Sequence, residues 1–216
     1  MIETKPDRKA FTAKEWQLIQ THRTPREVQR FLSTLRYNWE REGETQRSFR
    51  QVMRVKQAHC MEAAMSAAVI LEQHGYPPLL VSLESKDKLD HVIFVFRQKG
   101  LWGAVARSRD TGLHGRKPVF HTLRSLVWSY FDPYVDLTGR IIGYALTNLY
   151  ALGNYDWRFS SKNLWKVENH LREIPHTRLK SSEIRYRKLV ARYKEFRKAH
   201  PTGAPTYYAN RHQWML

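Results

Sequence analysis

The chain has 216 residues, 42% of them apolar and 26% charged, which suits one domain with its own core and argues against wholesale disorder. Lys and Arg total 37 against 20 acids, for a formal charge of +17, and a single cysteine, Cys60, excludes an intramolecular disulfide and any multi-cysteine zinc site. One thiol, no apolar leader and a longest apolar stretch of only residues 63–71 lead to the expectation of a soluble cytoplasmic protein with no membrane partner.

Taken in chain order, residues 1–23 are polar with scattered aromatics and read as an irregular arm or a short helix. Thr24-Pro25 is a helix start, followed by an apolar face of Val28, Phe31, Leu32 and Leu35 that should end before Gly43. Residues 47–56 suit a short helix or an extended entry segment. Residues 60–74 are the strongest helix: Ala63, Ala64, Ala67 and Ala68 among larger apolar residues predict close packing on nearly every side, with Gly75 as the stop. Residues 79–83, 91–96 and 101–107 then read as a three-stranded antiparallel meander. Residues 111–118 look like loop, and 121–130 like a helix broken by Asp132-Pro133. Residues 137–150 suit either helix or strand. Helices are expected over 161–173 and 182–199, the second docking through Ile184, Leu189, Tyr193 and Phe196, before an irregular tail. The domain reading is an arm over 1–23, an α+β core over 24–156, and a basic helical extension over 157–216 docked on it.

Charge is uneven along the chain. Residues 1–110 carry 19 basic and 13 acidic residues, and residues 111–216 carry 18 and 7. Residues 158–198 alone hold 13 basic and 4 acidic residues. This half is expected either to be a solvated face or to contact nucleic acid or another polyanion.

Cys60 carries the chemical signal by its position. A thiol at a helix start meets unpaired backbone N–H groups and the positive end of the helix dipole, and both favour the thiolate. A thiolate nucleophile needs a base, and His91, opening the strand His-Val-Ile-Phe-Val-Phe, is the candidate. Ser108 and Asp110, beyond the next strand, are candidates to orient the imidazole. His59 is a competing base, ranked lower because adjacent side chains diverge. Glu62 reads as a first-turn carboxylate that complements the dipole. His114 and His121 lack a third ligand at metal spacing. Arg107, Arg109, Arg116 and Lys117 read first as solvated surface and second as a receptor for an acidic substrate or a carboxylate terminus. Trp128, Tyr130, Phe131 and Tyr134 read as core.

Cys60 with Met-Glu-Ala-Ala-Met-Ser-Ala-Ala-Val-Ile-Leu, His91 on its strand, and Trp102 in Gly-Leu-Trp-Gly-Ala-Val-Ala-Arg resemble the transglutaminase-like branch of the papain-like cysteine enzymes over residues 47–110. The resemblance implies a papain-like α+β fold: a Cys-bearing helix packed on a small antiparallel sheet, with extra C-terminal helices. It implies acyl transfer on a peptide, amide or ester substrate, as a peptidase, amidase or transglutaminase-like enzyme, with no metal and no organic cofactor. Cys60 would attack the carbonyl, with His91 as base and then acid. Backbone N–H groups near Cys60, and a side chain such as Gln57, would meet the oxyanion, while Trp102, Arg107 and Arg109 would bind substrate. The family's acid falls at Ala106 here, which leaves Ser108 and Asp110 as the polar substitutes. The alternative is a basic polyanion- or nucleic-acid-binding module, including one on a transglutaminase-like scaffold whose chemistry has lapsed.

Overall fold

Reciprocal caps decide where the first helices begin. Thr12 accepts the Glu15 N–H while the Glu15 carboxylate accepts the Thr12 N–H at 2.8 Å, opening α1 (Ala13–Thr21). Thr24 and Glu27 repeat the arrangement for α2 (Pro25–Thr34), with Pro25 where a missing N–H matters least. The computed structural model describes residues 5–203, 205–208 and 210–216. After α2 come β1 (Arg36–Tyr37), α3 (Phe49–Val55), β2 (Gln57–Ala58) and α4 (Cys60–Glu72). The strands β3 (Leu79–Ser85), β4 (His91–Gln98), β5 (Leu101–Val105) and β6 (Arg116–Phe120) precede α5 (Leu123–Tyr134) and β7 (Ile141–Asn148). The chain closes with α6 (Trp165–Glu173), β8 (Thr177–Arg178), α7 (Glu183–Ala199) and α8 (Arg211–Trp214). The fold is α+β. Among the described residues no helix is long and apolar enough to cross a membrane.

The expected meander is present as β3–β4–β5 inside a larger antiparallel sheet of order β6-β5-β4-β3-β7-β8. Alternation along β4 explains the layering: Val92, Phe94 and Phe96 face one core with α4, while Ile93 and Val95 face another with α5. Both faces of β4 are therefore covered, as its unbroken apolar run requires. Every residue of α4 from Met61 to Glu72 is buried, against β4, α2 and α3. The alanines permit this by letting neighbouring elements approach closely.

Several segments depart from the sequence reading. Within the arm, α1 sinks Ile19 fully into the first core. The 111–118 loop becomes a short 3-10 turn followed by β6, which tolerates Pro118 because it is the edge strand of the sheet, beside β5. Helix α5 runs through Asp132-Pro133 to Tyr134. Proline there removes the N–H that would have bonded the Ser129 carbonyl, and the Arg116 guanidinium donates to that carbonyl instead, at 3.2 Å. Residues 141–148 form a strand. In the stripe expected to dock α7, Leu189 packs on the second core, joined by Tyr186 and Val190, but Ile184 is 70% exposed and Phe196 stacks on His200. No residue of α7 is buried. Residues 1–4, 204 and 209 of the expected arm and tail lie outside the described residues.

The segment beginning at 157 is anchored, not merely adjacent. Trp157, Leu164, Val167 and Leu171 join the first core. The Arg158 fork donates to both oxygens of buried Glu72, at 2.7 and 3.0 Å, and stacks on Trp157 at 4.1 Å. Replacing Glu72 by Ala removes the buried carboxylate to which Arg158 donates twice, so we expect a loss of about 3–5 kcal/mol in urea unfolding. A loss below about 1 kcal/mol would show the pair to be solvated.

Candidate active site

Cys60 is placed by a short chain of local constraints. Lys56 takes a left-handed conformation (φ 56°) that ends α3, and β2 pairs in parallel with β1 for two residues before α4 begins at Cys60. His59 is the N-cap: its Nδ1 accepts the Met61 N–H at 3.3 Å, and its own N–H donates to Glu62 at 3.1 Å. Glu62 is fully buried and also accepts from Thr45 Oγ1 (2.9 Å), the Arg47 N–H (3.0 Å) and Asn38 Nδ2 (3.2 Å). This carboxylate does more than complement a dipole. It ties β1, the 40–47 loop and the helix start around the thiol.

Cys60 is half-buried and lines a cavity of about 300 Å³ bounded by His59, His91, Tyr37, Asp110 and Tyr134. A smaller cavity of about 200 Å³ reaches it from the side of α6. His91 is buried at the start of β4, and its Nε2 donates to the Leu113 carbonyl at 3.0 Å. A carbonyl only accepts, so Nε2 carries the proton and Nδ1 is the nitrogen left for the thiol.

Burial pushes the Cys60 thiol up, but hydrogen bonding from His59 and from His91, with the positive charge of both rings, outweighs it and holds the pKa at about 5. Burial pushes His59 down, yet its hydrogen bond to Cys60, the Glu62 and Cys60 charges and the Thr45 carbonyl raise it to about 9. A neutral His59 caps α4 through its Nδ1 lone pair, whereas a charged one offers that atom's proton to the thiolate. Burial raises the hydroxyls of Tyr37 and Tyr134, and nearby negative charge, the sulfur's included, adds to it.

The expected site residues separate into those at the cavity and those away from it. Continuing the β4–β5 register from Phe94↔Val105 sets Ser108 opposite His91, and Ser108 lines the cavity. Its Oγ accepts the Asp110 N–H at 3.2 Å. Asp110 also lines the cavity, with burial raising its carboxyl pKa against the pull of Arg109. The atom that meets His91 Nε2 is nevertheless the Leu113 carbonyl, so a backbone group stands where the sequence suggested Ser108 or Asp110. A carbonyl leaves no mark in a sequence, which is why it was missed.

Trp102 is distant. It pairs with Arg97, six residues along β4 from His91 or about 20 Å, and Arg97 lies over its ring. Gln57 lines a neighbouring groove with Arg36 and Glu44, not the thiol cavity. Of the basic cluster, Arg109 reaches the cavity. Arg107 donates to the Leu35 carbonyl, Arg116 is fully buried, and Lys117 donates to the His212 carbonyl at 2.6 Å. Among the described residues no group of three or more His, Cys, Asp or Glu is arranged to hold a metal ion. No protein-family model matches the chain, and no curated protein matches it.

Proposed function

We propose that the protein is a cysteine-nucleophile acyl-transfer enzyme acting on an amide or ester. The observation that carries this reading is the Cys60 thiol at a helix start, lining one cavity together with the His59 and His91 imidazoles, the tautomer of His91 being set by a carbonyl. Cys60 Sγ attacks the carbonyl carbon and the C=O electron pair moves to oxygen, where first-turn N–H groups of α4 receive it. Collapse restores the C=O and breaks the bond to the leaving amine or alcohol, which takes the proton from His91 Nδ1. Water or an amine then gives its proton to Nδ1 and attacks the thioester, which releases the Cys60 thiolate.

The likeness to transglutaminase-like enzymes is supported by a Cys-bearing helix packed on an antiparallel strand that begins with histidine. The carbonyl in place of a side-chain orienter and the remote Trp102 are departures from that pattern.

The lining of the cavity favours a cationic substrate, the reverse of what the arginine cluster suggested. Glu40, Asp87, Asp90, Asp110 and Asp136 line it against Arg109 and the two imidazoles, in a chain of charge +17. Trp39, 58% exposed, stands at its rim. A negative cleft concentrates cations, and an open indole face adds to their binding.

Incubation with p-nitrophenyl acetate, followed by intact-mass measurement, tests the reading. We expect one acetyl group per chain, absent in Cys60→Ala, and faster release of the adduct by lysine methyl ester than by a glutamate diester. No acetylated protein, or equal labelling of Cys60→Ala, would refute it.

A second reading rests on α7, which buries no residue and presents Lys188, Lys194 and Lys198 to solvent. It predicts polyanion binding that weakens steeply with salt and ignores Cys60→Ala.

A further inference from the structure

Arg116 is a fully buried guanidinium satisfied mainly by backbone. Nη1 donates to the His114 and Gly115 carbonyls at 2.6 and 3.3 Å, and Nη2 to the Gly112 carbonyl at 2.8 Å and the Ser129 carbonyl at 3.2 Å. Nε donates to Ser129 Oγ at 3.0 Å. The plane lies between two rings, Tyr130 at 3.8 Å and Trp214 of α8 at 4.6 Å. The Tyr130 hydroxyl also donates to the His114 carbonyl, at 3.1 Å.

Within the loop before β6, the carbonyls Arg116 collects belong to residues 112, 114 and 115. The one it leaves is that of Leu113, and this carbonyl holds His91 Nε2. The loop has little freedom to do otherwise: a Cβ on Gly112 would fall 2.5 Å from the Tyr208 ring, and one on Gly115 2.2 Å from Gln29 Oε1. Residues beyond α8 add to the hold, since Met215 bridges to Arg116 and the Leu216 N–H donates to the Gly115 carbonyl at 3.2 Å.

We propose that Arg116, backed by Trp214, is a positioning residue for His91, aiming the Leu113 carbonyl so that the imidazole keeps its proton on Nε2 and turns Nδ1 to Cys60. Residues 211–216 thereby become part of the support for a site built from Cys60 and His91, far earlier in the chain. The proposal deepens the acyl-transfer reading and rests on its Cys60–His91 pair, but it is read through thiol reactivity, without any substrate. Failure of ester turnover therefore leaves it standing, whereas a wild-type thiol that titrates like a free one removes both.

The test is the rate of Cys60 alkylation by iodoacetamide against pH, in wild type, Arg116→Lys, Trp214→Ala and His91→Ala, and with each of the first two changes placed in His91→Ala. The groups facing the sulfur are His59, Tyr37 of β1, His91 of β4 and Tyr134 of α5, and those facing His91 include Asp110 and His114. All of them remain in the Arg116 and Trp214 variants. Lysine keeps the charge but not the fork, and supporting contacts of this kind are worth roughly tenfold or more. We expect both single variants to move the inflection upward and slow labelling at pH 6 about tenfold, and to change the rate less than twofold once His91 is gone. Arg116→Lys empties part of a buried site, and a failure of that variant to fold leaves the test to Trp214→Ala. Trp214 is only half-buried, and Trp214→Ala then decides the question. An unmoved inflection in folded Trp214→Ala, or an equal slowing in the His91→Ala background, overturns the proposal.

Discussion

Iodoacetamide should label Cys60 with a rate that climbs as pH rises through about 5 and then levels off, and His91→Ala should carry that inflection toward the free-thiol value of about 8.5. The sign follows from the species alkylated. Only the thiolate reacts, and both rings favour it over the thiol, so deleting one donor at fixed burial returns protons to sulfur. At pH 6 the variant should react at least about tenfold more slowly. The inflection, not the plateau, is diagnostic, since a thiolate of low pKa is intrinsically a weaker nucleophile. His59→Ala should shift the inflection the same way, and the tyrosines and Glu62 remain in both variants.

Stability should follow the same pair. The Cys60 pKa lies below its unfolded value, so the thiolate's contribution is complete above about 8.5 and is lost as pH falls to about 5. The His59 pKa lies above its unfolded value, so its contribution is complete below about 6.5 and is lost as pH rises through about 9. The contributions overlap between about 6.5 and 8.5, where the melting temperature should peak. Cys60→Ala should flatten that peak. A wild-type inflection near 8.5 would dispose of the coupled pair.

Glu62→Ala should be among the most damaging single changes, costing about 3–5 kcal/mol and lowering the melting temperature on the order of 10 °C. Its two oxygens satisfy groups from Asn38, Thr45, Arg47 and His59 where no solvent reaches, so alanine leaves several buried donors unpaired. Glu62→Gln keeps one acceptor oxygen but turns an NH2 group toward donors, and should fall between alanine and wild type. The loss should also raise the Cys60 inflection, because His59 is then freed from its cap and from the charge that keeps it cationic. A melting temperature within a degree of wild type would mean that the 40–47 loop repacks around the gap.

Local rules were enough to place Cys60 at a helix start and His91 at a strand start. Polar and small residues around Cys60 mark a helix start, and the β-branched and aromatic run after His91 marks a strand. What those rules ranked low was His59, on the ground that adjacent side chains diverge. That holds inside a helix, but His59 is the N-cap in extended conformation (φ −89°, ψ −172°), where the side chain folds back over the first turn. Glu62 was legible as a helix-start acid but not as the acceptor for four residues, because three of them, Asn38, Thr45 and Arg47, come from residues 38–47, whose sequence shows no periodicity.

By itself, the amino-acid sequence determined the α4 helix and its start at Cys60, the β3–β4–β5 meander, and the net positive charge, since each depends on neighbours within a few residues or on composition alone. Tertiary structure decided what turns to face the sulfur. It brought His91 to the cavity of Cys60 and the Leu113 carbonyl against His91, gathered five carboxylates along the cavity of a basic protein, sent Trp102 to the far end of its strand, and laid α8 on Arg116. These choices depend on register, on backbone carbonyls and on contacts between residues tens of positions apart. Such contacts leave no periodic trace along the chain, because the free energy that selects them comes from burying whole faces together.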